Sequence, residues 1–182
     1  MKQKATPDNL DIKALAQSSG TVAGHNPLSE FGRLIRETQG LGAEKKLNWS
    51  VRGELRTDAL GTQQVCLHLD VDVGLPLTCQ RCMTPAEIAV VVHRSFRFVD
   101  NEETAEAQDP ESEDDLLVLS ADFSLTELIQ DEVLMELPLI PKHEVCPVKV
   151  KLAAVDKGFG AAAEEQRQPF ALLAQLKNGN SG

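Results

Sequence analysis

Three segments of the chain alternate apolar and polar residues with a period of two, and this pattern constrains the fold more than any other feature. Such alternation is typical of β-strands with one buried and one wetted face. The segments span residues 47–55, 65–75 and 88–99, and their apolar sides are Leu47, Trp49, Val51 and Leu55, then Val65, Leu67, Leu69, Val71, Val73 and Leu75, then Ile88, Val90, Val92, Phe96 and Phe98. Because parallel strands covered on both sides read as continuous apolar runs, the alternation predicts an antiparallel β-meander of three to four strands.

Apolar residues with helical spacing before and after these segments place the chain in the α+β class, with two or three short helices packed on the sheet. Residues 26–40 predict an amphipathic helix, in which Asn26 is the N-cap and Pro27 occupies the first turn. Residues 1–25 show no firm period and are treated as an N-terminal arm of uncertain order. Residues 26–182 are expected to form a single domain, because 42% hydrophobic residues in a chain of 182 can build one sizeable core.

The best-defined helix follows the strand segments, at residues 124–137. Ser124 and Glu127 form a capping box at its start, which satisfies backbone N–H groups of the first turn. Two weaker elements complete the expected fold: a short fourth strand at residues 116–119 and a final helix at residues 169–177.

The charge is concentrated in one segment. Residues 100–115 contain nine acids and no base, so that the remainder of the chain sums to −1 although the whole chain carries −10. Like charges without apolar residues predict a flexible acidic loop in solvent. The net charge argues against a broad basic surface for nucleic acid, and 4% aromatic residues offer few platforms for stacking bases.

The sequence predicts a cytoplasmic protein without disulfide bonds. Its first 20 residues contain no apolar run long enough for a signal peptide, and no stretch approaches the ~20 apolar residues of a membrane span. Four cysteines without a secretory signal are expected to be reduced thiols or metal ligands. We expect no contact with a membrane and find no pattern that indicates a small-molecule substrate.

Two pairs of residues have the spacing of metal ligands. Cys79 and Cys82 lie in the turn between the second and third strand segments, and His143 and Cys146 lie after the helix at 124–137. Two intervening residues allow both side chains of a pair to face one ion, so the four together could form a structural zinc site. In the alternative, the four are ordinary side chains and the two pairs do not meet. We expect no cofactor and keep structural zinc at these four residues as the alternative.

A group of acids and histidines shares one strand face. His68, Asp70 and Asp72 project from the same side of the second strand segment, and His93 can lie across from them. Such a group could bind a metal or act as acid and base, as in a nuclease. The stronger interpretation is that a wetted strand face carries polar residues in any case. Since the sequence also lacks Ser-His-Asp order, a phosphate-binding loop and an HExxH motif, we predict no catalytic residues and no enzyme.

Four basic residues could contact phosphate groups if they gather near the cysteine turn. They are Arg81, Arg94, Arg97 and Lys142. The alternative is a solvated surface with local ion pairs, because positive charge without aromatic neighbours is weak support for RNA binding. The sequence leaves the binding residues unknown.

Three stretches of the sequence resemble the YceD family, whose members are described as large ribosomal RNA subunit accumulation proteins. The stretches are LTCQRCMTPAEIAVVVHRSFRFV at 77–99, DEVLMELPLIPKHEVC at 131–146 and QPFALLAQLK at 168–177. The resemblance implies a bacterial, cytoplasmic, non-enzymatic factor in the synthesis, processing or stability of large-subunit (23S) ribosomal RNA, and hence in ribosome biogenesis. Many relatives carry further cysteines after the position of Cys146, and their absence here weakens the expectation of a shared metal site.

The partners that the resemblance implies are ribosomal RNA or a precursor of the large subunit, reached directly or through ribosomal proteins or processing factors. The nearly neutral domain with its acidic segment suits contact with such proteins, or one local RNA contact, better than a coat on long RNA. The first alternative is a protein-interaction module without RNA contact. The second is a nuclease that uses His68, Asp70 and Asp72.

Overall fold

A computed structural model of the chain describes residues 10–58, 61–109, 112, 114–120 and 123–149. The chain divides into two units, Met1–Cys146 and Pro147–Gly182, and all the elements below belong to the first. The predicted helix at residues 169–177 lies outside the described residues. A single domain over residues 26–182 stays a prediction.

One five-stranded sheet forms the centre of the first unit, with the strands in sequence order. The strands are β1 (Thr21–Pro27), β2 (Lys46–Thr57), β3 (Gln63–Thr78), β4 (Pro85–Val99) and β5 (Asp115–Val118). The first four strands pair antiparallel, and β5 runs parallel to β4. The prediction of an α+β fold with a mostly antiparallel meander is confirmed, with five strands rather than three or four.

Four α-helices and one 3₁₀ turn accompany the sheet in the described part of the chain. They are α1 (Ile12–Gln17), the 3₁₀ turn (Leu28–Glu30), α2 (Gly32–Glu37), α3 (Glu102–Gln108) and α4 (Leu125–Met135). The predicted cap of α4 is confirmed, because the Ser124 hydroxyl accepts a hydrogen bond of 3.2 Å from the Glu127 N–H. None of the described helices has the length and hydrophobicity that crossing a membrane would require.

The core lies on the apolar side of the sheet that the alternation predicted. Alternate residues of β2, β3 and β4 are buried there, and the described helices α1 and α4 add apolar side chains such as Leu15, Leu125 and Ile129. Burying one such aliphatic side chain contributes about 1.5–3 kcal/mol. The opposite side of the strands carries the polar residues and faces solvent.

The helix predicted over residues 26–40 is wrong in its first part. Asn26 lies in β1, where it pairs with β2, and Pro27 ends that strand instead of opening a helix. The Asn26 side-chain oxygen accepts a hydrogen bond of 2.8 Å from the indole N–H of Trp49, and its amide group donates to the Glu30 carboxylate at 2.6 Å. A buried indole N–H needs such a partner, and this requirement outweighs the local preference of Asn and Pro for a helix start.

The arm of uncertain order assigned to residues 1–25 contains structured elements in its described part. Asp11 caps α1 by accepting a hydrogen bond of 3.0 Å from the Ala14 N–H. The helix packs closely on β2, because a Cβ atom added to Gly53 would lie 2.6 Å from backbone atoms of Leu15 and Ala16. Gly53 therefore allows α1 to approach the sheet backbone.

The acidic segment at residues 100–115 also departs from the prediction of a loop. Part of it forms α3, which Asn101 caps by accepting a hydrogen bond of 2.8 Å from the Thr104 N–H. Glu102 and Glu103 lie in the first turn, where negative charge is favourable to the helix dipole. No residue of α3 is buried, so this part of the segment is solvated as expected. Its flexibility stays a prediction.

Candidate metal centre

The turn between β3 and β4 holds the first pair of candidate ligands. The Cys79 N–H donates to the Thr84 carbonyl at 2.9 Å, and the Met83 N–H donates to the Cys79 carbonyl at 2.9 Å. Met83 adopts a left-handed conformation with φ of 58°, which reverses the chain between the strands. These contacts hold the Cys79 and Cys82 side chains on the same side of a tight turn.

The segment after α4 brings the second pair to this turn. The Gln80 N–H donates to the Pro141 carbonyl at 2.9 Å. The Arg81 guanidinium donates to the His143 carbonyl and, at 3.2 Å, to the Glu144 carbonyl. Main-chain acceptors of one segment thus bind donors of the other, and this fixes the segment beside the cysteine turn.

The four candidate ligands meet around one point. The side-chain ligand atoms of Cys79, Cys82, His143 and Cys146 all lie within 4.8 Å of one another. The Cys79 and Cys146 sulfurs are 4.0 Å apart, and the Cys82 sulfur lies 3.4 Å from His143 Nδ1. A tetrahedral zinc site with Zn–S bonds of about 2.3 Å has edges of about 3.8 Å. The two pairs therefore converge with spacings that suit a tetrahedral ion, and the alternative that they do not meet is wrong.

The surroundings of the cluster favour thiolates on the two turn cysteines. Burial opposes ionisation of Cys79, but backbone hydrogen bonds from His143, Cys82 and Arg81 outweigh it and lower the pKa of Cys79 to about 5. The hydrogen bond from the Thr84 side chain lowers the pKa of Cys82. The thiolate is the form of cysteine that binds metal ions, so the lowered pKa values suit both residues to be metal ligands.

The other two members complete the donor set. Hydrogen bonds to Cys79 and Cys82 raise the pKa of His143, whereas burial raises the pKa of Cys146. His143 Nε2 lies 3.0 Å from the Pro85 carbonyl, which has only an acceptor to offer. Nε2 therefore carries a proton, and in the neutral ring Nδ1 presents its lone pair to the cluster. Three sulfurs and one imidazole fill a tetrahedron and leave no position for a substrate, as in structural metal sites.

The polar residues on the open side of the sheet do not converge in this way. The shared face of His68, Asp70, Asp72 and His93 is confirmed, but His68 and Asp70 form separate contacts. His68 lies 2.8 Å from a Glu54 carboxylate oxygen through Nε2 and 2.8 Å from the Ser95 hydroxyl through Nδ1. Asp70 instead contacts His93 Nδ1 at 2.6 Å.

Two residues of this face, Glu54 and Ser95, were missed by the sequence reasoning. Their positions follow from the strand register. Ser95 of β4 pairs with His68, and Glu54 lies two residues beyond Arg52, which is the partner of His68 on β2. The hydrogen bond to His68 lowers the pKa of Glu54. Serine, histidine and carboxylate in a row can activate a hydroxyl, so an enzyme hypothesis would have to rest on this group.

The four basic residues do not form one patch. Arg94 lies on the core side of β4 beside Glu132 at 3.2 Å, whereas Arg97 lies on the opposite side and donates to Gln108 at 2.8 Å. Arg81 is held by the carbonyls beside the cysteine turn. The pair of Arg94 with Glu132 is of the kind expected for a surface with local ion pairs, whereas Arg81 and Arg97 contact neutral groups.

The model of the family described as "Large ribosomal RNA subunit accumulation protein YceD" matches residues 67–177, more than half of the chain. The chain belongs to the YceD family. The YceD match begins in β3 and includes the cysteine turn, α4 and the segment with His143 and Cys146.

A protein of Haemophilus influenzae named "Large ribosomal RNA subunit accumulation protein YceD" is 30% identical to this chain over 112 residues. The alignment covers 59% of this chain and 62% of that YceD protein, so the chain spans less than two thirds of its relative's length. No solved structure matches the chain.

Proposed function

We propose that this protein is a non-enzymatic factor in the accumulation of large-subunit ribosomal RNA, acting on the synthesis, processing or stability of 23S RNA during ribosome biogenesis. The family match carries the proposal, because it spans more than half of the chain and the family is named for this role. The protein then works in the bacterial cytoplasm, where ribosomes are assembled. Its partners are ribosomal RNA or a precursor of the large subunit, reached directly or through ribosomal proteins or processing factors.

The polar contacts of the sheet argue against the nuclease alternative at His68, Asp70 and Asp72. His68 is shared between Glu54 and Ser95, while Asp70 is paired with His93. The nuclease hypothesis needs His68 and Asp70 to act on one reacting atom, and here the two side chains contact different neighbours. The acidic helix α3 offers a surface to basic proteins instead, since it exposes its glutamates and buries no residue.

We further propose that the cluster of Cys79, Cys82, His143 and Cys146 holds a structural Zn²⁺. Its four ligand atoms lie within 4.8 Å of one another, and the Pro85 carbonyl orients the imidazole. The ion would tie the segment after α4 to the turn between β3 and β4. The described residues already join these two parts by the backbone hydrogen bond from Gln80 to Pro141 and by contacts of the Arg81 and His143 side chains with backbone carbonyls. The zinc stabilises a surface for binding and takes no part in a reaction.

The functional proposal is tested by sucrose-gradient sedimentation of lysate from cells that lack the protein, beside wild-type cells. We expect a deficit of large subunits in its absence and the protein itself in the fractions of large-subunit precursors. Normal subunit ratios, with the protein confined to the top of the gradient, would contradict the proposal. Complementation with the His68, Asp70 and Asp72 triple alanine variant separates the nuclease alternative, which requires that this variant fail although it folds.

The alternative of a protein-interaction module without RNA contact is separated by affinity purification with and without nuclease. A partner set that survives nuclease treatment and contains no ribosomal component would favour that alternative. Loss of the ribosomal partners on nuclease treatment would indicate that RNA holds the complex together. Ribosomal proteins that remain bound after nuclease would support action through protein contacts.

The zinc proposal is tested by elemental analysis of protein purified without a histidine tag. We expect about one zinc per chain, and unfolding at a lower temperature after treatment with a strong chelator. Zinc well below one per chain, together with an unchanged melting temperature in chelator, would overturn the structural role.

A further inference from the structure

Among the described residues, no strand pairs with the outer edge of β1. The sheet order places β1 at one end, next to β2 alone, and α1 packs against β2 and β3. The Gly53 N–H donates to the Gly20 carbonyl, and the Leu28 N–H donates to the Lys45 carbonyl. The backbone N–H and C=O groups of successive strand residues point to opposite sides of the strand. Since Gly20 and Leu28 bond towards β2, the even-numbered residues of β1 do so as well, and the odd-numbered ones direct these groups outward. Thr21, Ala23 and His25 thus direct N–H and C=O groups away from the sheet.

The two edges of the sheet differ in how well they are protected. The opposite edge, β5, has four residues, begins with Asp115 and lies beside the acidic helix α3. The edge at β1 has seven residues with no Asp, Glu, Lys or Arg among them. Natural proteins block exposed edges with charges, short strands or bulges, since an open edge is a template for another strand. In the described part of the chain, β1 has only its terminal Pro27 as such a block.

We propose that β1 pairs antiparallel with β1 of a second copy of the protein, about a two-fold axis at Ala23. In this register Ala23 lies opposite Ala23 of the other copy, and Thr21 lies opposite His25. Thr21, Ala23 and His25 then each donate one N–H and accept through one C=O, so that the edge is paired from Thr21 to His25. The two sheets become one continuous ten-stranded sheet with the acidic helices at its two ends.

The charge distribution favours a second copy as the occupant. A chain with a net charge of −10 repels itself, but its acidic segment lies at the far edge of the sheet. Four strand spacings of about 4.8 Å place that edge roughly 19 Å from β1, beyond the Debye length of about 8 Å in physiological salt. A basic extended peptide would be attracted to the edge beside α3, whereas β1 offers it no acidic partner. The small residues Ala23 and Gly24 also allow close approach of an identical strand.

The pairing is tested with the full-length protein by light scattering coupled to size-exclusion chromatography. We expect the mass of the wild-type protein to rise with concentration from 19.8 kDa towards twice that value. Ala23→Pro removes an outward N–H that β2 does not use, so it should remain folded and monomeric at every concentration. Ala23→Thr keeps the N–H and is the matched control, for which we expect the wild-type dimer.

Hydrogen exchange on the wild-type protein gives a readout that does not depend on how well the proline variant folds. We expect the amides of Thr21, Ala23 and His25 to gain at least tenfold protection between dilute and concentrated samples, whereas the amides that bond to β2 do not change. A monomeric wild type at the highest concentration would overturn the proposal. So would a dimer that Ala23→Pro leaves intact, or one whose formation does not protect these three amides.

Discussion

The cysteine cluster and the polar face of the sheet both contain histidine and other potential metal ligands, and they arrange these side chains in opposite ways. In the cluster, formed by Cys79, Cys82, His143 and Cys146, four donor atoms are directed at one point. On the polar face, defined by Glu54, His68, Asp70, His93 and Ser95, each side chain is directed at a neighbour on the next strand. The first arrangement has room for a cation at its centre, whereas the second satisfies its polar groups internally.

The difference comes from the backbone that carries each group. Strand residues on one face are held about 5 Å apart by the sheet ladder, so that neighbouring polar side chains reach each other in pairs. The cluster instead uses a turn and an irregular segment, whose backbones curve around a common centre. Removal of single residues should therefore affect the two regions very differently, from loss of an ion to almost no effect.

The largest effect is expected from Cys79→Ser. Serine is a poor zinc ligand, and the site would lose Cys79, its most buried member, which is 0% exposed. We expect zinc to fall from about one per chain to near zero, with a decrease of several degrees in melting temperature. Elemental analysis and thermal unfolding monitored by circular dichroism check this.

Cys66→Ser is the matched control for that variant. Cys66 is also a buried free cysteine, on β3, but it does not belong to the cluster. It should keep its zinc and lose about 1 kcal/mol of stability at most. If both variants kept their zinc and had the same stability, the cluster would be no more than a group of thiols.

The next effect is expected from His143→Ala. The variant loses the imidazole that Pro85 orients but keeps all three sulfurs, so zinc should still bind with affinity at least tenfold lower. Competition with a coloured zinc chelator measures this affinity. Wild-type affinity in the variant would mean that His143 is not a ligand and that the contact with the Pro85 carbonyl is its whole role.

Most of the sheet and the four members of the cluster could be predicted from the sequence. The strand alternation gave the correct buried side for β2, β3 and β4, because burial of one face enforces a period of two. The spacing of Cys79 with Cys82 and of His143 with Cys146 identified the two pairs of candidate ligands. The convergence of the pairs could not be predicted, since it depends on the hydrogen bond between Gln80 and the Pro141 carbonyl, more than 60 residues along the chain.

The errors arose where tertiary contacts outweighed local preferences. Asn26 has the chemistry of a helix cap, yet the buried indole of Trp49 uses it as an acceptor and places it in β1. The helix α1 was missed although Asp11 precedes apolar residues with helical spacing, because six residues are too few for a clear period. The start of α1 therefore had a signal in the sequence, namely Asp11. The position of Asn26 had none, because it depends on a contact with Trp49 that exists only in the folded protein.

A smaller effect is expected from Glu132→Gln. Glu132 lies in α4, outside both the cysteine cluster and the polar face, and the substitution removes its buried charge. Glu132 lies 5% exposed, and one carboxylate oxygen has no hydrogen-bond partner in the described residues although Arg94 Nε is 3.2 Å away. Burial raises the pKa of Glu132 from 4.5, with Arg94 opposing and Asp115 adding to the rise. The neutral amide should therefore stabilise the fold at pH 7 by about 1 kcal/mol.

The pH dependence of the unfolding free energy tests whether Glu132→Gln stabilises the fold. The folded protein holds the Glu132 proton more tightly than the unfolded chain does, so wild-type stability falls as pH rises from 4.5 through the raised pKa. The gain from Glu132→Gln should thus be present at pH 7 and vanish below pH 4.5. Denaturant unfolding at several pH values measures it, with the exposed Glu44→Gln as control. A loss of stability at pH 7 would show that the pair with Arg94 outweighs the burial.

The smallest effect is expected from His93→Ala, which makes the same substitution as His143→Ala on the polar face. The His93 side chain is 73% exposed and its partner Asp70 58%, so water replaces the lost contact at little cost. We expect a change in unfolding free energy within about 0.5 kcal/mol, unchanged zinc content and normal levels of large subunits in complemented cells. A folded His93→Ala protein that failed to restore large subunits would reverse the comparison, because the function would then depend on the polar face whose side chains bind one another. If instead His143→Ala fails and His93→Ala succeeds, the two histidines differ through convergence alone, and the surface supported by the cluster becomes the place to look for the ribosomal partner.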